Sequence, residues 1–255
     1  MDDAPQEDAP YFEVSNLRRG FGDHEVLRGV SFSVPRGLTT VILGGSGAGK
    51  SVLLKHLNGL LRPASGTVRV LGREIDPLSE RELAPIRRRI GVLFQDGALF
   101  DSLDVGENVA FPLRERGERD ESRIAARVAE VLGMVGLSGQ ERKMPDALSG
   151  GMRKRASLAR ALAPEPECLL CDEPTAGLDP ILSESITKLL RRLQEELRLT
   201  SVIVTHNLGA MRYAADQVVF LRDGAVRYVG PVAGFESCPD EAVREFIAAD
   251  AIGRG

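Results

Sequence analysis

Residues 44–51 read Gly44, Gly45, Ser46, Gly47, Ala48, Gly49, Lys50 and Ser51, the full GxxxxGK[ST] spacing. Such a run lets backbone N–H groups wrap a chain of phosphates, because glycine permits the required dihedrals and a close approach. Lys50 would reach the β- and γ-phosphates, and the Ser51 hydroxyl would ligate Mg2+. Asp172 and Glu173 end an apolar run of Leu169, Leu170 and Cys171. Asp172 fits a magnesium ligand, directly or through water. Glu173 fits a base for a water attacking the γ-phosphate. Gln95 could touch the Mg2+ or that water, and the His206 imidazole could bond a γ-phosphate oxygen. A second anion nest stands apart from these, at Leu148, Ser149, Gly150, Gly151 and Met152, ahead of a helix rich in Arg and Ala.

Periodicity supplies the elements that must hold these groups. Alternation over residues 11–34, with Gly20 and Gly22 between, predicts two strands, and residues 66–75 a short β stretch turning at Gly72. Apolar runs at 39–43, 90–94, 167–171, 201–205 and 218–221 predict five more strands. Helical spacing covers 50–61, 121–135, 150–162, 180–197 and 240–249. Strands alternating with helices imply an α/β core with a parallel sheet. Residues 111–146 read as mainly helical and interrupt that core. Four strands run directly into Gly44, Gln95, Asp172-Glu173 and His206, and ligands of open α/β sheets bind at the carboxyl ends of strands.

Composition sets limits. The chain has 255 residues, 43% hydrophobic and 27% charged, and 33 basic against 37 acidic side chains leave a formal charge of −4. That is the profile of a globular protein with a sizeable core, and it lacks the basic surplus of a nucleic-acid binder. No apolar run approaches a membrane span, and the acidic opening is unlike a signal peptide, so the sequence reads as cytosolic. Residues 1–10 read as disordered. Cys168 and Cys171 have CxxC spacing, but strand alternation sends them to opposite faces, so they read as structural. Arg87, Arg88, Arg89 and Arg153, Lys154, Arg155 read as solvated faces or helix ends, with contact to anionic lipid heads the alternative. His24 and His56 read as structural or solvent-facing.

A chain with one complete phosphate loop has no use for a second nest in the same site. Two copies head to tail would use it, each nest closing on the γ-phosphate held by the other chain. In this the sequence resembles the ABC ATPases, with Walker A at residues 44–51, Gln95 as Q-loop, residues 148–152 as signature, and Glu173 closing Walker B. Ala176, Gly177, Leu178 and Asp179 match the D-loop and His206 the switch histidine. The resemblance implies a P-loop NTPase (RecA-like) core with an antiparallel β subdomain, and a helical subdomain inserted over about 97–160. The cassette would span 11–235, with a helical tail at 236–255. It also implies ATP and Mg2+ as ligands, with Ser149, Gly150, Gly151 and Asp179 contributed by the partner subunit. Phe21 falls where an aromatic stacks on adenine, although a packed hairpin phenylalanine fits as well. Met152 departs from the usual glutamine, leaving the serine and glycines of the nest intact.

The stretch between Lys50 and Asp172 is too short for the coiled-coil arm of DNA-repair and chromosome-structuring relatives, and a single cassette differs from the translation-factor relatives. A motor subunit for a separate transmembrane permease remains. Residues 94–100 (Phe94 to Phe100), 108–115, Met144-Pro145 and 239–247 resemble the ATPases of Mla/Mce-type phospholipid transporters. That resemblance implies a homodimer on the cytoplasmic face of the inner membrane, a permease, an Mce-domain lipid-binding protein and a small regulatory subunit, with no nucleic acid. The alternatives are a cassette importing amino acids or other small solutes, and a soluble regulatory ABC ATPase.

Overall fold

The computed structural model describes residues 9–95 and 97–252, with side chains through residue 250. Most of the lead-in read as disordered, Asp96, and the last residues of the tail lie outside the described residues. Two sheets organise the chain. The first is antiparallel, in the order β2 (His24–Val34), β1 (Phe12–Phe21), β4 (Ser65–Val70), β5 (Arg73–Glu74). The second runs β10 (Ala225–Gly230), β9 (Gln217–Arg222), β3 (Thr39–Leu43), β8 (Thr200–Thr205), β7 (Cys168–Asp172), β6 (Ile90–Leu93). From β9 to β6 its neighbours are parallel, and β10 closes the edge antiparallel.

The parallel strands are buried on both faces, as continuous apolar runs require. Ile42, Leu170, Val202 and Val204 enter one core with the antiparallel sheet and α1 (Lys50–Leu57). Val41, Leu43, Leu169 and Ile203 enter the other, with most of the remaining helices, while Leu83 joins the first. Cys168 and Cys171 divide between these two cores, as their spacing requires. Helix α1 ends four residues before the sequence pattern does, because Asn58 accepts from the Leu60 amide and Gly59 turns at φ 69°.

Among the described residues, four helices lie wholly or mostly outside the helical spacing read from the sequence, and the first two of them flank β6. Helix α2 (Glu80–Arg87) buries only Leu83 and contains Pro85; a capping box of Ser79 with Glu82 starts it. Helix α3 (Val105–Glu115) begins the helical insertion before residue 111, capped by Asp104. Its Asn108 is fully buried and satisfied: Oδ1 accepts from the Phe100 amide at 2.8 Å, while Nδ2 donates to the carbonyls of Phe100, Leu103 and Asp104. Helix α4 (Glu121–Met134) follows, then α5 (Gly150–Leu162), α6 (Pro180–Leu197) and α7 (Leu208–Ala214). Two more, α8 (Val232–Glu236) and α9 (Glu241–Ile252), bring Phe235 and Phe246 onto Phe220, with ring centroids at 5.6 and 5.0 Å.

Solvated faces are only part of what the arginine-rich stretches form. Arg88 and Arg153 are exposed, but Arg87 donates to the carbonyls of Asn58 and Gly59, Arg89 pairs with Glu167, and Lys154 is buried. Arg155 reaches the Val135 carbonyl and the Ser185 hydroxyl. Arg87 and Arg155 thus satisfy carbonyls at helix ends, as the helix-end reading expects, and Lys154 is the residue that departs from it by being buried.

His56 is fully buried on α1; Nδ1 donates to the Val52 carbonyl at 2.7 Å, and Nε2 finds no partner among the described residues. Burial holds its pKa below the ordinary 6.5. The unfolded chain therefore takes up a proton at higher pH than the folded one, and stability falls as pH drops through about 6.5 toward the depressed folded value. Urea melts from pH 7 to 5 are expected to lose stability in that window, and His56→Leu is expected to flatten the loss. An unchanged slope in His56→Leu would contradict this assignment.

Candidate nucleotide site

Register places the candidate groups on one edge. Leu43 pairs with Thr205, Asp172 with Val204, and Leu93 with Cys171. The residues that follow therefore emerge together, and Gln95, Glu173 and His206 line one cleft of about 740 Å3 with residues 45–51. That volume is within the ordinary range for a small-molecule site.

The phosphate loop is held where side chains have no room. A Cβ on Gly44 would lie 2.4 Å from the Leu221 carbonyl oxygen. Gly49 has φ 98° and caps α1, whose free N–H groups open into the loop. Lys50 Nζ donates to the carbonyls of Gly44 and Gly45, both at 2.9 Å. It also lies 3.5 Å from Glu173 Oε1, with the two side chains only 8% and 12% exposed. His206 Nδ1 meets the same carboxylate at 3.0 and 3.1 Å, its ring 65% exposed. Glu173 itself sits at φ 44°, a left-handed conformation of order 1–3 kcal/mol for a non-glycine residue, with its amide bonded to Val204 O at 2.9 Å. Lys50 and His206 thus clasp one carboxylate on a strained turn.

Ser51 Oγ donates to Asp172 Oδ1 at 3.0 Å. Burial pushes the Asp172 carboxyl up in pKa, against the Ser51 hydrogen bond, with nearby Glu173 adding to the rise. A carboxylate desolvated this way gains from a cation, and a hydroxyl, a carboxylate and the Gln95 amide oxygen are hard donors of the kind Mg2+ takes. These residues fit the ion.

Not every candidate comes to this cleft. Ser149 caps α5, accepting from the Met152 amide at 3.3 Å, and Asp179 caps α6, accepting from Leu182 N at 2.9 Å. Neither they nor Gly150 and Gly151 line the cleft; Leu178 and Leu182 pack beside the two glycines instead. Phe21 is 48% exposed at the end of β1, with the Arg19 guanidinium 4.9 Å from its ring centroid, and the cleft wall holds Val26 rather than Phe21. Sequence reasoning missed Phe246, Ala249 and Asp250 of α9, which also line the cleft; nothing local to the tail signals this.

Residues 27–176 match the family described as ABC transporter. Across 94% of its length the chain is 43% identical to the probable ribonucleotide transport ATP-binding protein mkl of Mycobacterium tuberculosis, covering 67% of that protein. The chain belongs to the ABC transporter ATP-binding family. It is an ATP hydrolase, the ATP-binding motor subunit of a transporter. It is also 44% identical over 89% of its length to the methionine import ATP-binding protein MetN of Brucella abortus, spanning 62% of that longer protein. Among solved structures, the dimeric ATP-binding cassette MJ0796, in a post-hydrolysis state with ADP and Pi, is 33% identical. It superposes with a TM-score of 0.79 over 87% of this chain and 98% of that one. The P-loop core, antiparallel sheet and helical subdomain are those of an ABC cassette. Among the described residues, no helix is long and apolar enough to cross a membrane.

Proposed function

We propose that two copies of this chain, head to tail, form two ATP-hydrolysing sites that drive phospholipid movement between envelope membranes through a permease. One observation supports the two-chain reading: the cleft gathers the phosphate loop with Gln95, Glu173 and His206, while the serine nest opens elsewhere on the same chain. In the dimer, Ser149, Gly150 and Gly151 of each copy close over the γ-phosphate held by the other, and Asp179 links the two sites.

Within a site, the loop of residues 44–49 cradles the phosphates with N–H groups. Lys50 exchanges the Gly44 and Gly45 carbonyls for phosphate oxygens, which frees Glu173 from its nearest cation. Ser51, Asp172 and Gln95 would hold Mg2+, which when bound neutralises developing charge on the phosphates. Glu173 takes a proton from a water whose oxygen attacks the γ-phosphorus, while the bond to the ADP oxygen breaks. His206 keeps the carboxylate aimed and donates toward a γ-phosphate oxygen. Phe21 has a place beside the adenine if the Arg19 side chain moves off its face.

The phospholipid reading rests on the Mla/Mce-like stretches and on what they build. Phe94, Phe100 and Phe111 are exposed large apolar side chains, the last two with ring centroids 4.8 Å apart. They suit a buried apolar anchor from the permease. The protein then works peripherally at the cytoplasmic face of the inner membrane, with an Mce-domain protein and a small regulatory subunit in the same assembly. Similarity to MetN favours a second reading, an importer of amino acids or other small solutes. Affinity capture of the full chain from detergent-solubilised membranes separates them. An integral membrane protein carrying phospholipid supports the first reading, and a lipid-free complex whose ATPase responds to methionine supports the second.

A further inference from the structure

Helix α9 runs from a salt-bridged anchorage to the nucleotide cleft. At its start, Arg227 pairs with Asp240 at 2.9 Å, and Arg222 pairs with Glu245 at 2.8 Å. Arg222 also donates to the Ala242 carbonyl at 3.4 Å. Val243 is fully buried, and Phe246 packs on Phe220 with ring centroids 5.0 Å apart. These contacts hold the helix as far as Phe246. Positions 246, 249 and 250 are neighbours on one helix face, so the anchored phenylalanine carries Ala249 and Asp250 to the cleft wall. Asp250 reaches one hollow farther. A groove of about 710 Å3 beside α6 and α7 adjoins the cleft, and His206 and Asp250 line both. The last turn of α9 therefore stands on the rim of the cleft, next to His206.

The charge placed there has the wrong sign for a ligand wall. Lys50 and the loop amides make the cleft a place for a polyanion, and Glu173 already puts one carboxylate into it. A second carboxylate, on a helix that supplies no phosphate contact of its own, opposes a triphosphate at short range. We infer that the last turn of α9 is an autoinhibitory cover, which holds down the affinity for ATP and is displaced by it. Nucleotide and cover oppose each other, so each weakens the other's hold by the same factor. The ion pairs at the start of the helix keep the cover tethered when its last turn lifts. Such a cover acts on the cleft of one chain and requires no second copy.

The test measures binding of a fluorescent ATP analogue to the full chain with Mg2+. Asp250→Asn keeps the size of the side chain and removes its charge. It is expected to tighten binding about 2- to 5-fold at about 50 mM salt, with the gain fading at about 0.5 M. Glu241→Gln makes the same charge change on α9 where the helix lines a different groove, with Arg28 and Arg222, and should leave affinity within about 1.5-fold. Ala249→Glu adds a carboxylate to the cleft wall and should weaken binding about 2- to 5-fold. Reciprocally, hydrogen exchange over residues 247–252 should quicken about 2- to 5-fold when a non-hydrolysed ATP analogue saturates the wild-type site. Wild-type or weaker affinity in Asp250→Asn would overturn the cover, as would an equal gain in Glu241→Gln. Slower or unchanged exchange with nucleotide bound would overturn it as well, since α9 would then be a fixed wall of the site.

Discussion

Glu173→Gln is expected to lower kcat for ATP hydrolysis by about 10²–10⁴-fold, the contribution of a positioned general base. Glutamine matches the carboxylate in size and can still bond His206, but it cannot accept a proton from water. Binding should survive, because Lys50, Ser51 and the loop amides are unchanged. The variant also loses the negative charge that lies 3.5 Å from Lys50, so the lysine is freer to meet phosphate. ATP-bound dimers should accumulate, visible as a shift to twice the mass in size-exclusion chromatography with ATP and Mg2+. Multiple-turnover hydrolysis near the wild-type rate would remove Glu173 from the role of base.

Lys50→Ala is expected to act on binding instead. Charge-assisted hydrogen bonds are worth about 1.5–3 kcal/mol each, so affinity for a fluorescent ATP analogue should fall about 10- to 100-fold. Two changes compound the loss of phosphate contacts. The carbonyls of Gly44 and Gly45 lose the ammonium that holds them, so the loop is less ordered for the next ligand. Glu173, only 12% exposed, then faces an incoming polyanion without the lysine's charge beside it. Affinity within twofold of wild type would contradict this account of Lys50.

The chemistry of the cleft is legible in sequence because its parts are local: a loop in unbroken spacing, and polar residues directly after apolar runs. Parallel register does the rest, since strands pairing Leu43 with Thr205 and Leu93 with Cys171 must deliver their next residues to one edge. What sequence hides is whatever depends on distant partners. Helix α2 buries a single leucine, so no stripe betrays it. Lys154 sits in a basic run that looks solvated, yet its partner Gln95 lies on the far side of the helical insertion. The α9 residues along the cleft follow from the docking of Phe246 on Phe220, a contact between segments that no local pattern connects. Phe21 shows the converse, since a motif position alone does not bring its ring to the cleft wall.

A composite site can be tested by complementation. Ser149→Asp keeps a residue able to cap α5, as Ser149 does through Met152 N, but turns a negative charge on the nucleotide. Lys50→Ala disables the cradle and leaves the nest intact. Alone, each variant should be nearly inactive. Co-expressed and purified as mixed pairs, they should regain hydrolysis, because each mixed pair unites one intact cradle with one intact nest. Mixed pairs as inactive as the separate variants, beside a wild-type monomer that hydrolyses ATP at full rate, would contradict the two-chain site.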